Sequence, residues 1–402
     1  IMKTFGQQYF EKTAYVNFDN NARMKQVFEG DLDIERLVLA ISAETGVSIE
    51  AENTLIIFDE IQEVPKALTS LKYFHENAPQ YAIVAAGSLL GVALHQGTSF
   101  PVGKVDFLDL YPLNFREFLC AMGEKQFVSM LDSCDTQMVT VFKTKYIERL
   151  REYYFVGGMP EVVKDFSEKK DYNRVRAIQK NLINYYQQDF SKHAEIKLVP
   201  RLNLVWNSIP MQLAKENKKY IYGQVREGSR AKDFELAIQW LLDCGLIHKV
   251  QRIQKPDLPL KAYIDFDAFK LFLVDIGLLI AMTDLDAKVI IEGNKIFTEF
   301  KGSLTEQYIL QQLISDVGVI PYYYSTQNSK GEIDFLVQGK TSVIPIEVKA
   351  EENLKAKSLK AFCEKYQPSY AVRTSMSDYR EQDWMTNIPL YAIKWIENYV
   401  NQ

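Results

Sequence analysis

The hydrophobic pattern changes period several times along the chain, and each change marks an element. KTAYVNFD (12–19) alternates in the manner of a half-buried strand. LDIERLVLAISAETG (32–46) carries apolar positions at helical spacing and stops on Gly46. NTLIIFDE (53–60) is a short continuous apolar run, the pattern of a strand covered on both faces. VPKALTSLKYFHENAP (64–79) returns to helical spacing with Pro65 in the first turn, and YAIVAAGS (81–88) and VDFLDLYP (105–112) read as two further strands. Strands that alternate with helices predict an α/β domain with a mostly parallel sheet.

From 114 to 190 the pattern is helical, with the turn VGGMP (156–160) placing Pro160 at a helix start. Between 191 and 285 two helices, VPRLNLVWNSIPMQLAKENKK and SRAKDFELAIQWLLDCG, precede a strand LIHKVQRI, a tip KPDLP and the segment KAYIDFDAFKLFLVD. Two helices and a short hairpin fit a winged helix. From 286 onward come the helix SLTEQYILQQLIS, the strands GEIDFLV (331–337) and SVIPIEVK (342–349), a Lys-rich helix, the strand PSYAVRT and a C-terminal helix. The expected domains are therefore 1–113, 114–190, 191–285 and 286–402.

A chain of 402 residues is too long for one ordinary core. Its 47% hydrophobic and 25% charged content is that of a soluble globular protein. The longest apolar run, AFKLFLVDIGLLIAM, is interrupted by Lys270 and Asp275 and falls short of the roughly 18 residues of a membrane span. IMKTFGQQYF has no apolar signal-peptide core, so no membrane and a cytoplasmic location are expected. Four cysteines and four histidines lie scattered without metal-ligand spacing, which leaves no zinc site. A net charge of -5 argues against coating nucleic acid over the whole surface. The window from Met211 to Lys232 is nonetheless basic, with Lys215, Lys218, Lys219, Arg226, Arg230 and Lys232 against Glu216 and Glu227. It reads as a DNA contact or, equally, as a solvated face.

Candidate chemistry begins at Asp59 and Glu60, two acids directly behind a buried strand. Nucleotide hydrolases use such a pair, the first acid holding magnesium and the second polarising water. The alternative is that the acids merely open a helix, whose N-terminal dipole favours negative charge. No G-x-x-x-x-G-K-[ST] phosphate loop occurs in the sequence: GVALHQGTS (91–99) has the wrong spacing, and Gly103-Lys104 is followed by Val105. Counting back from Asp59, the loop should lie one strand and one helix earlier. IMKTFG then reads as the tail of that helix, and the expectation is that the chain opens just after its own phosphate loop.

LIIFDEIQEVPKAL, VAAGSLLG, SFPVGKVDFLDLYPLNFREFL and YFVGGMPEVV, in that order, resemble a large prokaryotic family of AAA+-type P-loop ATPases. The family's C-terminal region is an uncharacterised domain related to restriction endonucleases, and the resemblance covers essentially the whole chain. It implies an α/β fold: an N-terminally truncated AAA+-type nucleotide-binding core (1–113), a helical lid (114–190), the winged helix and a nuclease-like domain (286–402). ATP and Mg2+ are the implied cofactors. Asp59 would hold magnesium, Glu60 would be the general base, and Ser88 would be a sensor of the γ-phosphate or the water. Where the family often has Gly-Arg this chain has Gly103-Lys104, and a lysine offers phosphate a point charge in place of a planar fork. Relatives commonly work as rings, which makes a homo-oligomer an expected partner beside ATP and DNA.

A second constellation lies near the C-terminus. Glu347 and Lys349 are two apart on a strand and share a face, Asp334 lies on the preceding strand, and Glu306 lies in an upstream helix. This is the D…E-x-K pattern of PD-(D/E)XK nucleases, in which Asp334 and Glu347 would bind magnesium and Lys349 would steady the attacking water. The pattern speaks to fold and leaves activity open. The functional expectation is an ATPase that couples hydrolysis to the winged-helix and nuclease-like modules on DNA. The alternatives are a nucleotide-switched binding module without catalysis, and a degenerate ATPase with nuclease chemistry alone.

Overall fold

The structure is a computed structural model that describes residues 1–87, 103–215, 218–292, 298–326, 331–352 and 356–402. It is α/β, with a small parallel sheet near the N-terminus and a larger mixed sheet after it, and it divides into two units. The first comprises 1–110 with 243–245, and the second 111–242 with 246–402.

In the first unit β1 (Lys12–Asn17), β2 (Thr54–Asp59) and β3 (Ala82–Ala85) form a parallel sheet with β2 in the middle. The unbroken apolar run of β2 is buried from Thr54 to Phe58, as a strand covered on both faces must be. Phe58 meets Phe18 and Phe28 with ring centroids 5.5 Å from each, which fixes the sheet against its helices. The helix Ile34–Thr45 forms where its spacing predicts. The Asp33 side chain caps it by accepting from the Arg36 N–H at 2.9 Å, and Gly46 ends it at φ +69°. The strand expected at 105–112 does not form, and Leu108 there is 92% exposed. Alternating apolar and acidic residues favour extended backbone, but a strand also needs a ladder partner.

The second unit is built on an eight-stranded sheet of order β10-β11-β9-β8-β7-β6-β4-β5. Its strands are β4 (Ile247–Ile253), β5 (Ile264–Leu273), β6 (Tyr322–Ser325), β7 (Glu332–Gln338), β8 (Val343–Val348), β9 (Val372–Ser375), β10 (Arg380–Gln382) and β11 (Met385–Pro389). The hairpin expected as a wing, β4 with β5, is an edge of this sheet: β4 pairs in parallel with β6 through Arg252↔Tyr323 and Ile253↔Tyr324. The helices Val199–Leu213 and Ala231–Asp243 are present as expected. The expected C-terminal helix is a 3₁₀ segment, Leu390–Ile396, followed by one turn, Glu397–Val400. Among the described residues no helix is long and apolar enough to cross a membrane.

Polar side chains knit the second unit together. The helix Thr298–Gln312 presents Gln307, which both donates to and accepts from the Leu273 backbone at 2.7 and 3.0 Å. Gln311 accepts from the Ile276 N–H, and Gln312 accepts from the Phe115 N–H at 2.8 Å. Asp275, fully buried, accepts from the Gly158 N–H at 2.6 Å and the Leu278 N–H at 3.0 Å. Gly157 has φ +75°, and a Cβ there would lie 2.2 Å from the Asp275 Oδ1.

Gly157→Ala should therefore lower unfolding stability by about 2–4 kcal/mol, from the positive φ and the loss of the Asp275 contact. Gly223→Ala, where no atom lies within 4 Å of the added Cβ, should stay within about 0.5–1 kcal/mol of the wild type in the same urea titration. Equal midpoints for the two variants would refute this. A second test is set by His248 on β4, whose imidazole burial pushes down from 6.5 to about 4. Between those values the unfolded chain binds a proton that the fold refuses, so stability falls as pH drops through that window. His248→Phe should flatten the slope between neutral pH and about pH 5, and an unchanged slope would place the acid sensitivity elsewhere.

Candidate functional site

Asp59 ends β2, and its neighbours hold it in one orientation. Tyr15, on β1, donates its hydroxyl to Asp59 Oδ2 at 2.5 Å, and Asn17 donates to the same tyrosine oxygen at 3.4 Å. The bond to Asp59 holds the Tyr15 phenol above its ordinary value, with burial adding to it. Lys3 lies over the Tyr15 ring, 3.4 Å from its centroid. The other Asp59 oxygen accepts from the Glu60 N–H at 3.2 Å. Each carboxylate oxygen has two lone pairs, so both retain capacity toward a ligand. Asp59 is partly exposed, which is what a group that meets solvent magnesium requires.

The chain turns sharply after Asp59. Glu60 takes φ +51°, a left-handed conformation that a non-glycine residue adopts only at a cost of about 1–3 kcal/mol. The strain is held by its surroundings: Gln62 donates to Glu60 Oε2 at 2.6 Å, and the Ile61 N–H bonds to the Ala86 carbonyl at 3.1 Å. Gln62 in turn packs against Gly87, where a Cβ would meet its Oε1 at 2.0 Å. The two acids are thus brought together at the carboxyl end of the middle strand, where open α/β sheets bind ligands. Ser88 lies outside the described residues. Lys104 is paired with Glu76 at 3.3 Å. Tyr15 and Gln62 were missed by reading the sequence; their signal was period two on β1 and a polar residue just past the acid pair.

The C-terminal constellation is arranged differently. Glu306, on the helix Thr298–Gln312, is buried and contacts the Lys218 ammonium, with Lys270 3.7 Å away. Lys270, on β5, is fully buried; it lies 2.5 Å from Glu332 and over the Tyr323 ring. Burial opposes the charges, yet Lys218 and Lys270 hold the Glu306 carboxyl below its ordinary value, and Glu306 and Glu332 hold the Lys270 ammonium above its own. Asp334 accepts from the Val348 N–H at 2.7 Å; burial and the Glu306 charge push its carboxyl up to about 8. Glu347 faces Lys349 at 2.6 Å with one oxygen and accepts from the Leu359 N–H at 3.2 Å with the other.

Glu306 and Asp334 are therefore brought together and hydrogen-bonded to each other, as Glu347 and Lys349 are paired. Among the described residues Glu306 Oε2 makes no hydrogen bond and has the Lys270 ammonium 3.7 Å away, and the other carboxylates face a cation or an N–H of the chain itself. Among the described residues no group of three or more His, Cys, Asp or Glu is placed to hold a metal ion. The donor set does not fit a divalent cation in this arrangement. Lys218, counted with the basic window, is turned inward onto Glu306. Lys270 and Glu332 escaped the sequence reading, although a lysine inside an apolar strand was a signal that a buried acid must answer it.

The comparisons with known proteins divide the chain into three stretches. Residues 1–119 match the family model described as an AAA domain. Residues 147–289 and 301–393 match two models described as domains of unknown function, DUF8612 and DUF4143. No curated protein matches the chain. The N-terminal stretch, with its parallel sheet and the acid pair at the end of the middle strand, is similar to the nucleotide-binding domains of AAA-type P-loop ATPases.

Proposed function

We propose that the N-terminal unit is the magnesium-dependent, ATP-hydrolysing part of an ATPase, with Asp59 and Glu60 as its acid pair. The observation that carries the reading is their place at the carboxyl end of β2, between two parallel neighbours, with Asp59 oriented by Tyr15 and Glu60 held in a left-handed turn. A bound magnesium ion would supply Lewis-acid stabilisation of phosphate charge. The chain's own residues do the rest. Asp59 would hold the ion through its carboxylate oxygens, and Tyr15 fixes the rotamer of that carboxylate. Glu60 takes a proton from water at its carboxylate, steadied by the Gln62 amide. Tyr15 and Gln62 act as positioning residues, because each touches the acid and neither need touch the reacting atoms.

The test is steady-state ATP hydrolysis by the full-length gene product with magnesium. Glu60→Gln should lower kcat by about 10²–10⁴-fold and retain nucleotide binding, the signature of a lost general base. Asp59→Asn should weaken binding of the magnesium-nucleotide complex, and Tyr15→Phe should do so more mildly. Nucleotide binding without wild-type turnover would defeat the ATPase reading and favour a nucleotide-switched module.

A further inference from the structure

The carboxylates of the second unit occupy a polar pocket inside an otherwise apolar packing, and the cations that meet them come from the chain. Lys270 reaches across one face of the sheet from β5, passes the Tyr323 ring on β6 at 4.8 Å and ends on Glu332 of β7. From the other side the helix Thr298–Gln312 brings Glu306 down onto the same ammonium. Lys218 arrives on the remaining face of Glu306 with only 13% of its side chain exposed. The buried Glu306 and the partly exposed Glu332 thus meet two ammonium groups; Asp334 is hydrogen-bonded to Glu306 and accepts from the Val348 N–H, and Glu347 is engaged by Lys349.

We propose that Lys218 and Lys270 stand where a divalent cation would stand in this carboxylate cluster, and that Lys218, seated on Glu306, closes the cluster to metal. Three physical points support the assignment. A fully buried ammonium persists only where acids answer it, so Lys270 is a permanent member of the cluster. A metal ion entering beside it would meet like-charge repulsion at close range in a medium of low dielectric constant. Lys218 is the one of the two that solvent reaches, which makes it the removable cation. The inference does not rest on the ATPase reading, since every group in it belongs to the second unit.

The experiment compares wild type, Lys218→Met and Glu306→Gln in the full chain without nucleotide. Thermal midpoints are taken in EDTA and in millimolar Mn2+, and free Mn2+ is counted by electron paramagnetic resonance. Wild type should show the same midpoint in both solutions and no Mn2+ site that Glu306→Gln removes. Lys218→Met should melt several degrees lower in EDTA, bind one additional Mn2+ and recover much of the lost midpoint with it. A wild-type Mn2+ site abolished by Glu306→Gln would overturn the proposal, and so would a Lys218→Met variant that gains nothing from Mn2+. Should Lys218→Met fail to fold, the double variant with Glu306→Gln must fold better than the single one, because it removes both charges of the pair. A double variant no better than the single overturns the counter-ion role.

Discussion

The carboxylate of Asp275 is the constraint on which the architecture of the second unit depends. It is fully buried and would be costly there without donors. The Gly158 and Leu278 N–H groups and the Gln311 amide supply them, and burial still holds the carboxyl above its ordinary value despite these donors. Asp275 caps its own helix through Leu278, and because its other donors come from the VGGMP turn and from the helix Thr298–Gln312, one side chain ties two distant segments to the helix start after β5. Tyr153 extends the network, donating to the Leu113 carbonyl at 2.6 Å while accepting from Gln311 at 2.9 Å. Hydrogen bonds to a buried charged group contribute about 1.5–3 kcal/mol each, so the set outweighs any single apolar contact in the region.

Such a network explains why the two glycines of the turn leave no room. Gly157 gives way to the carboxylate, and Gly158 lies so close to Leu113 that a Cβ would meet its carbonyl oxygen at 2.1 Å. The strand-to-helix joint after β5 is equally tight, for Gly277 faces the Val156 carbonyl, where a Cβ would lie 2.5 Å away. Backbone approaches backbone at two of these glycines, Gly158 on Leu113 and Gly277 on Val156, and the buried Gln179 amide donates to the Phe155 and Val156 carbonyls beside them.

What the sequence made legible was local. The run TLIIFD predicts a buried strand, Gly46 closes a helix, and Asp59 and Glu60 stand at a strand end. The contacts that were not legible span long separations. Tyr15 meets Asp59 across 44 positions, and Lys218 meets Glu306 across 88. The β4–β5 hairpin carries every mark of a wing in its own sequence. Its membership of the larger sheet depends on Tyr323 and Tyr324, some seventy positions later, whose period does not name a partner. A basic residue counted as surface became interior for the same reason, because burial is decided by what lies across the fold.

The two acid clusters show how environment assigns different work to the same residue type. At the end of β2 the carboxylates stay partly exposed, are oriented by neutral donors from Tyr15 and Gln62, and keep lone pairs toward solvent. In the second unit Glu306 is buried and Glu332 partly so, and both are answered by ammonium groups of the chain. Neutral hydrogen bonds orient a carboxylate without cancelling its field, whereas a buried ammonium cancels the field and leaves no vacancy for a cation. A sequence motif of acids and a lysine is compatible with either outcome. Which one holds turns on where the nearest further lysines lie, and here Lys218 and Lys270 lie inside.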